Sequence, residues 1–523
     1  MPLPDHRRNR RNWLKQVSVT AGSLGLAASA GPLADQARAD QARADQARAG
    51  ADATTDPLET FVPVRPITRG PAHHWFGYYD KREFSSDGRF VLSNEVAFEG
   101  RAPTGDDAIG VGMVDTQNGD RWIPLGTSKA WSWQQGCMLQ WVGRDDRFVI
   151  WNDRENGRFV SKLYDRDTSS LRTLGRAIYT LLPDGKSALA VDFSRLDNLR
   201  PGYGYDGLQD AYAADPAPEA SGIWKVDLET GQEHLVFSLA QAAALPWPGS
   251  AAPPKNAWHY FNHLLVNPAG TRFIVLHRYR PKFDPKTLRY DGGFVTRMLT
   301  VDIDGGRKYV LDPGGKTSHF IWKNDEVVTL WTRPIGKQYG FYDFWDRSEK
   351  VVAVGKKAMP ANGHNTYLEA PYSDWILNDT YPSKPGKSKL PSAQKSLGNR
   401  QTVYLYHVPS KRRFDLGHFP SPPAYRGQWR CDTHPRGGPG GTQVAIDSPH
   451  DGGRQVYLLD IADLLRKHLL PPFVISSVPS VARLSEAKFR VARLSEAKTK
   501  KRLGEACYFG ETYSPGCRRH GRL

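Results

Sequence analysis

One supersecondary pattern recurs seven times between residues 60 and 470, and it constrains the fold more than any other feature of the sequence. In each copy a short turn rich in Gly, Asp, Asn or Pro is followed directly by an apolar run, such as Phe90-Val91-Leu92. Gly, Asp and Asn supply the positive φ that tight hairpin turns demand. The seven turns are at residues 86–89, 143–146, 183–186, 268–271, 323–326, 371–374 and 439–442.

A second hairpin follows most of these turns, for example around Asn118-Gly119 and Thr230-Gly231, so that each repeat predicts four antiparallel strands. Seven such units predict an all-β, seven-bladed β-propeller, because radial closure removes the exposed edges of a long open sheet. Residues 61–64, Phe-Val-Pro-Val, are expected to supply the outer strand of the last blade and to close the ring. A pair of β-sandwiches is the alternative fold.

The two ends of the chain differ in composition from the repeats. Arg10-Arg11, followed by Trp13-Leu14 and Lys15, is typical of a twin-arginine export signal, which we place at residues 1–33. A tandem pentapeptide without an apolar stripe predicts a linker over residues 34–57. We assign the propeller to residues 58–470 and a basic extension, with a ten-residue duplication, to 471–523. Export predicts a periplasmic or secreted protein, in which Cys507 and Cys517 are able to form a disulfide.

The net charge of +16 is concentrated at these ends. Residues 1–48 hold eight Lys or Arg and four Asp, and residues 481–523 hold eleven Lys or Arg and four Glu, which leaves about +5 for the rest. The charge therefore argues against nucleic-acid binding, whereas the modest excess in the body suits an anionic oligosaccharide. No apolar run after residue 30 is long enough to span a membrane.

Histidines recur just before the turns on five of the seven repeats, in the strand expected to line the central channel. They are His73 and His74, His259 and His263, His319, His364, and His434. Converging imidazoles suit a metal or acid–base site, because neutral His is both a ligand and a proton carrier near pH 7. The alternative is that each imidazole packs and bonds to a neighbouring carbonyl. Alternation along a strand lets only one of His73 and His74 face the channel.

These channel motifs resemble those of oligogalacturonate lyases, which are seven-bladed propellers that act on pectin fragments. The resemblance implies that His263, in Phe261-Asn262-His263-Leu264, is the catalytic base. It implies that His319 and His434 bind manganese, with Asp432 in place of a further His ligand. Gln428 adjoins the position of the family's Gln ligand, which is Trp429 here, and His364 is another candidate ligand.

The catalytic Arg of that family has no counterpart here, and we expect Arg278, Arg430 or Arg436 to replace it. Ulvan lyases, which are also seven-bladed propellers, use His and Tyr, and Tyr78 and Tyr79 of the first repeat are candidates for the Tyr role.

The leading functional hypothesis is therefore a polysaccharide lyase that cleaves a uronate-containing chain by metal-assisted β-elimination. A metal or Arg stabilises the charge that develops on the carboxylate while a neutral His removes the adjacent proton. Two alternatives stay open: a non-catalytic propeller that binds a glycan or protein, and a glycoside hydrolase. The hydrolase needs paired carboxylates, for which Asp80 and Asp432 are the candidates.

Overall fold

The computed structural model describes residues 59–247, 252–284, 286–287, 289–290, 293–382 and 399–469. Within these residues seven antiparallel sheets of four or five strands follow one another along the chain, which confirms the predicted seven-bladed propeller. The predicted export signal, linker and basic extension, with Cys507 and Cys517, lie outside the described residues. Among the described residues, no helix has the length and apolar character needed to cross a membrane.

We number the blades in chain order and give their strands from the first edge strand outward. Blades 1 to 3 consist of His73–Trp75, Phe90–Val96, Ile109–Asp115 and Arg121–Ser128; of Gln140–Val142, Phe148–Glu155, Arg158–Asp165 and Ser170–Leu174; and of Thr180–Leu181, Ser187–Ala190, Gly222–Asp227 and Glu233–Ser238. Blades 4 and 5 consist of Trp258–Val266, Arg272–Arg280, Val295–Asp302 and Lys308–Asp312; and of Phe320–Trp322, Val327–Thr332, Gly340–Trp345 and Val351–Val354.

Blades 6 and 7 consist of Thr366–Tyr367, Trp375–Asp379, Arg400–His407, Arg412–Pro420 and Glu59–Thr60; and of Arg436–Gly437, Gln443–Ser448, Gln455–Asp460 and Val64–Pro66. A small hairpin, Phe283–Asp284 with Arg289–Tyr290, extends from blade 4. Among the described residues, the α-helices are Phe193–Leu199, Leu239–Ala244 and Ala462–Leu469, and short 3₁₀ helices cover Gly427–Trp429 and Pro439–Gly441.

The predicted turns join the first and second strands of each blade. Gly88, Gly185 and Gly270 have φ of +73°, +67° and +72°, the left-handed conformation in which Gly carries no steric penalty. In every blade the apolar run after the turn forms the second strand. The first strands of neighbouring blades approach one another, as Phe320–Trp322 and Thr366–Tyr367 do, so these short strands line the axis.

The ring closes in blade 7, where Val64–Pro66 pairs with the last strand, Gln455–Asp460. The closing strand thus starts at Val64, whereas the sequence suggested residues 61–64. Phe61 is 59% exposed, and Glu59–Thr60 instead extends the outer edge of blade 6. Both ends of the propeller sequence therefore contribute to its last two sheets.

Apolar side chains fill the spaces between adjacent sheets. Leu265 and Ile274 of blade 4 pack against Phe320 and Val328 of blade 5. Ala445 of blade 7 belongs to a similar cluster shared with blade 1. Each fully buried Leu, Ile, Val or Phe side chain stabilises the fold by about 1.5–3 kcal/mol. The packed faces of the sheets therefore hold the blades together, and the axis can carry polar groups.

Candidate active site and metal centre

Irregularities in the first strands place polar side chains at the axis. In blade 4 the pairing shifts register between Asn262 and Leu264, and His263 at the bulge has φ of 55°. In blade 7 His434 has φ of 38° just before the strand Arg436–Gly437. A bulge breaks the alternation of a strand and re-aims the side chain at that point. These irregularities therefore direct the side chains of His263 and His434 towards the axis.

Three imidazoles from blades 5, 6 and 7 meet at the axis. The ring centroids of His319 and His364 are 4.1 Å apart, and those of His364 and His434 are 4.2 Å apart. Ligand atoms of His364, Asp432 and His434 all lie within 4.8 Å of one another. All four side chains are buried.

Each of two imidazoles is held by a partner on the nitrogen away from the cluster. His364 Nδ1 bonds to Asp379 at 3.0 Å, and this carboxylate also accepts bonds from the backbone N–H of His364 and the hydroxyl of Thr433. His319 Nδ1 bonds to the amide oxygen of Asn362 at 3.0 Å. The Tyr381 hydroxyl lies 3.3 Å and 3.4 Å from the two Nε2 atoms. Partners of this kind, bonded to the nitrogen that faces away from a metal, fix the tautomer of metal-binding histidines.

The cluster fits a divalent metal ion. His434 Nε2 is buried without a hydrogen-bond partner among the described residues. Burial lowers the pKa of His319 and of His434 well below the usual imidazole value, so both are neutral near pH 7 and offer a lone pair. Two imidazoles and one carboxylate, with the His319 ring beside His364, form a donor set that manganese and zinc accept.

A second polar group is built around His263, and the Tyr78 ring packs against both His263 and His434. Its Nε2 bonds to Asp80 at 3.0 Å, and Asp80 also accepts from Lys81 at 3.1 Å. Burial would raise the pKa of Asp80, but Lys81 and His263 together lower it to about 2. An ionised Asp80 orients the imidazole and leaves Nδ1 as its proton-accepting nitrogen.

Four tyrosines surround these groups, and their hydroxyls differ in their bonds. The Tyr79 hydroxyl donates to the carbonyl of Phe320 at 2.8 Å and accepts from its N–H at 2.9 Å, so its bonding capacity goes to the backbone. The Tyr78 ring packs against His263 and His434, with centroids 4.9 Å and 5.1 Å away. Tyr381 belongs to the imidazole cluster, and Tyr203 accepts a bond from Arg430.

A cavity of about 430 Å³ borders both groups. Among the described residues its lining includes four cationic side chains and no Asp or Glu. The lining residues are Tyr78, Arg200, Tyr203, Asn262, His263, Leu276, Arg278, Phe294, Thr296, Gly315, Lys316, Thr317, Ser318, His319, Tyr381 and Arg430. Such a cavity attracts an anionic ligand.

The three arginines singled out from the sequence have different surroundings. Arg278 lines the cavity and donates to Thr296. Arg430 also lines it and bonds to Asp432 at 2.8 Å. Arg436 is only 2% exposed, is paired with Glu83 and Asp447, and does not belong to the cavity lining.

Other residues suggested by the sequence lie apart from the cluster. His73 pairs with Glu99, and His74 bonds to Glu95 and Gln455. His259 bonds to His277. Gln428 lies in the 3₁₀ helix Gly427–Trp429, where its carbonyl accepts a bond from Gln134.

Both carboxylates considered for a hydrolase are paired with basic side chains. Asp80 is bound by Lys81 and His263, and Asp432 is bound by Arg430. Because the pKa of Asp80 is lowered to about 2, it does not hold the proton that a general acid needs.

Sequence reasoning missed several residues of the site. Arg200 and Tyr203 come from the long segment between the second and third strands of blade 3, which has no counterpart in the repeat pattern. Asp379 ends an apolar strand and Tyr381 follows it. The signal that could have found them is that this strand pairs with Thr366–Tyr367, which begins two residues after His364.

No protein-family model and no curated protein matches the sequence. Among solved structures, oligogalacturonate lyase from Vibrio parahaemolyticus is similar, with 14% identity, a TM-score of 0.51, and coverage of 77% of this chain and 96% of that chain. An oligogalacturonate lyase in complex with manganese has 14% identity, a TM-score of 0.53, and coverage of 78% and 97%. TolB from Acinetobacter baumannii aligns less well, with 14% identity, a TM-score of 0.34, and coverage of 64% of each chain. At this identity the similarity is one of fold, and the chain is a seven-bladed β-propeller with the fold of oligogalacturonate lyases.

Proposed function

We propose that the protein is a polysaccharide lyase that cleaves uronate-containing chains by β-elimination. The observation that carries this proposal is that one cationic cavity without carboxylates borders both the His263–Asp80 pair and His319 of the imidazole cluster. A uronate carries the carboxylate that such a cavity attracts, and its adjacent C–H bond is the one that a neutral imidazole must break.

The residues that line the cavity have different roles in this reaction. Arg278 and Arg430 bind the uronate carboxylate, since guanidinium groups pair with carboxylates through parallel N–H bonds. His263 accepts the proton next to that carboxylate. Burial lowers the pKa of His263 although Asp80 raises it, so the imidazole is neutral and able to act as a base near pH 7.

His319, His364, Asp432 and His434 are the residues that would hold a divalent metal. The oligogalacturonate lyase solved with manganese makes that ion the first candidate. When bound, the metal would act as a Lewis acid and stabilise negative charge on the substrate carboxylate.

The twin-arginine motif at residues 10 and 11 supports export, and we propose that the enzyme acts in the periplasm or outside the cell.

The test is a panel of uronate polymers combined with elemental analysis of the purified protein. We expect bound divalent metal and a rise in the ultraviolet absorbance of an unsaturated uronate product. Hydrolysis produces reducing ends without this absorbance, and a non-catalytic propeller binds without producing either. Either result would contradict the proposal.

Two His variants separate the two groups. His319→Ala is expected to lose the metal, whereas His263→Ala is expected to keep the metal and lose turnover. The exposed His234 provides the matched control, and His234→Ala is expected to retain both. Wild-type metal content and activity in both site variants would refute the assignment.

A further inference from the structure

Tyr203 occupies a special position in the cavity. It lies in the segment after the helix Phe193–Leu199 and lines the cavity together with His263 and Arg278. Its hydroxyl oxygen accepts a bond from Arg430 Nη2 at 2.9 Å. The guanidinium of Arg200 lies 4.8 Å from the centre of its ring. Tyr203 is 6% exposed, so these two cations act on it with little screening by water.

This geometry leaves the phenolic proton available. Because a guanidinium only donates hydrogen bonds, Arg430 occupies a lone pair of the Tyr203 oxygen and not its proton. The same two cations stabilise the phenolate that remains after the proton leaves. Burial alone would raise the pKa of Tyr203, but the charges of Arg430 and Arg200 outweigh this effect and lower it.

The other three tyrosines are less suited to giving up a proton. Tyr79 donates its proton to the backbone of blade 5. The Tyr381 hydroxyl lies against two imidazoles of the cluster. Tyr78 has no cation bonded to its hydroxyl in the described structure, and burial raises its pKa well above the usual value.

We propose, on the basis of the lyase function above, that Tyr203 is the general acid that protonates the leaving oxygen. His263 takes the proton from C5 of the uronate, the electrons of that bond form the C4=C5 double bond, and the bond from C4 to the glycosidic oxygen breaks. That oxygen takes the proton of Tyr203, and the phenolate is held by Arg430 and Arg200. Proton transfer from His263 to Tyr203 through water then restores both residues.

Tyr203→Phe tests this role with two substrates. The first is a uronate polymer, and the second is a uronate with a dinitrophenyl ether at C4, whose phenolate leaves without protonation. On the polymer we expect kcat to fall by roughly 10²–10⁴-fold, the usual contribution of a general acid. On the dinitrophenyl ether we expect a rate close to wild type. Equal loss on both substrates, or no loss on the polymer, would overturn the proposal.

Controls separate this role from structure and from the lyase function itself. Tyr339 is 51% exposed, and Tyr339→Phe is expected to behave as wild type on both substrates. Unchanged metal content and thermal unfolding of Tyr203→Phe verify an assembled site. A wild-type protein that forms unsaturated product from neither substrate refutes the lyase function and this role together, whereas an active wild type with an equally active Tyr203→Phe refutes this role alone.

Discussion

At the scale of single residues, the site depends on carboxylates that hold imidazoles in place. Asp80 fixes His263 through Nε2, and Asp379 fixes His364 through Nδ1. In both pairs the carboxylate is fully buried, and a further polar group, Lys81 or Thr433, also bonds to it. Under the proposed function the two pairs differ in role, because the free nitrogen of His263 accepts a proton and that of His364 binds the metal.

The first prediction concerns the pH dependence of Asp80→Asn. Burial lowers the pKa of His263 below the usual histidine value of 6.5. We therefore expect kcat/KM of the wild type to stay constant as the pH falls through 6.5 and to decrease only at lower pH. Because Asp80 raises this pKa, its removal lowers the pKa further and moves the acid limb to still lower pH. The maximal rate falls because the tautomer is no longer fixed. A pH–rate profile measures both effects, and an acid limb displaced to higher pH would contradict the assignment.

The second prediction concerns the support of His364. Asp379→Asn keeps the shape of the side chain but weakens its hydrogen bond to Nδ1 of His364. Loss of such a partner typically lowers metal affinity by 10–100-fold. Asp343→Asn is the matched control, because Asp343 is a buried carboxylate of blade 5 that bonds to Thr329 and Lys323. Metal titration of the two variants measures the difference. Equal affinities would contradict the role of Asp379 in holding His364 for metal binding.

The sequence predicted the positions of the central imidazoles better than their surroundings. His319, His364 and His434 precede turns at equivalent places in three repeats, so ring closure alone brings them together. Arg430 and Arg436 could not be ranked in the same way, because their environments depend on partners such as Asp432 and Glu83 that lie on different strands or loops.

At the scale of elements, the placement of the site residues depends more on breaks in the first strands than on the strands themselves. In blade 1 the strand His73–Trp75 ends before Tyr78, and the backbone of Phe76 and Gly77 is tied to Asp447 of blade 7. The sequence predicted the hairpins, because turn chemistry is local. It did not predict these breaks, because they are set by contacts between blades.

The third prediction tests the break in blade 1. Gly77 has φ of +126°, and a Cβ there would lie 2.9 Å from the carbonyl carbon of Gln135. Gly77→Ala is therefore expected to destabilise the protein by about 1–3 kcal/mol and to displace Tyr78 from His263. Gly175, with open space around it, gives the control Gly175→Ala. Denaturant unfolding of both variants measures the effect, and equal stabilities would show that the break tolerates a side chain.

At the scale of the whole molecule, the propeller is closed by a three-residue strand. Val64–Pro66 covers the outer edge of blade 7, and its register with Gln455–Asp460 is continuous. The number of blades could be predicted because each repeat carries its own turn. The first residue of the closing strand could not be predicted, because more than one short apolar segment is able to pair with the outer edge of blade 7.

The fourth prediction concerns this closure. A variant that begins at residue 68 lacks the closing strand and exposes the edge of blade 7, so we expect a lower unfolding temperature and a greater tendency to aggregate. A variant that begins at residue 58 retains both Glu59–Thr60 and Val64–Pro66 and serves as the control. Calorimetry compares the two. Equal unfolding temperatures would mean that blade 7 does not need its outer strand.

Blade 7 joins Val64–Pro66, near the start of the propeller sequence, to the last strands, and Asp432 and His434 lie just before its first strand. During synthesis the ribosome therefore has to extend the chain to Asp460, the end of the final strand, before this sheet is complete. A polypeptide that ends before Asp432 lacks both Asp432 and His434 and therefore cannot complete the imidazole cluster. Under the proposed function, metal retention would therefore require a chain that reaches at least Asp460, and fragments released earlier would be inactive towards substrate instead of partly active.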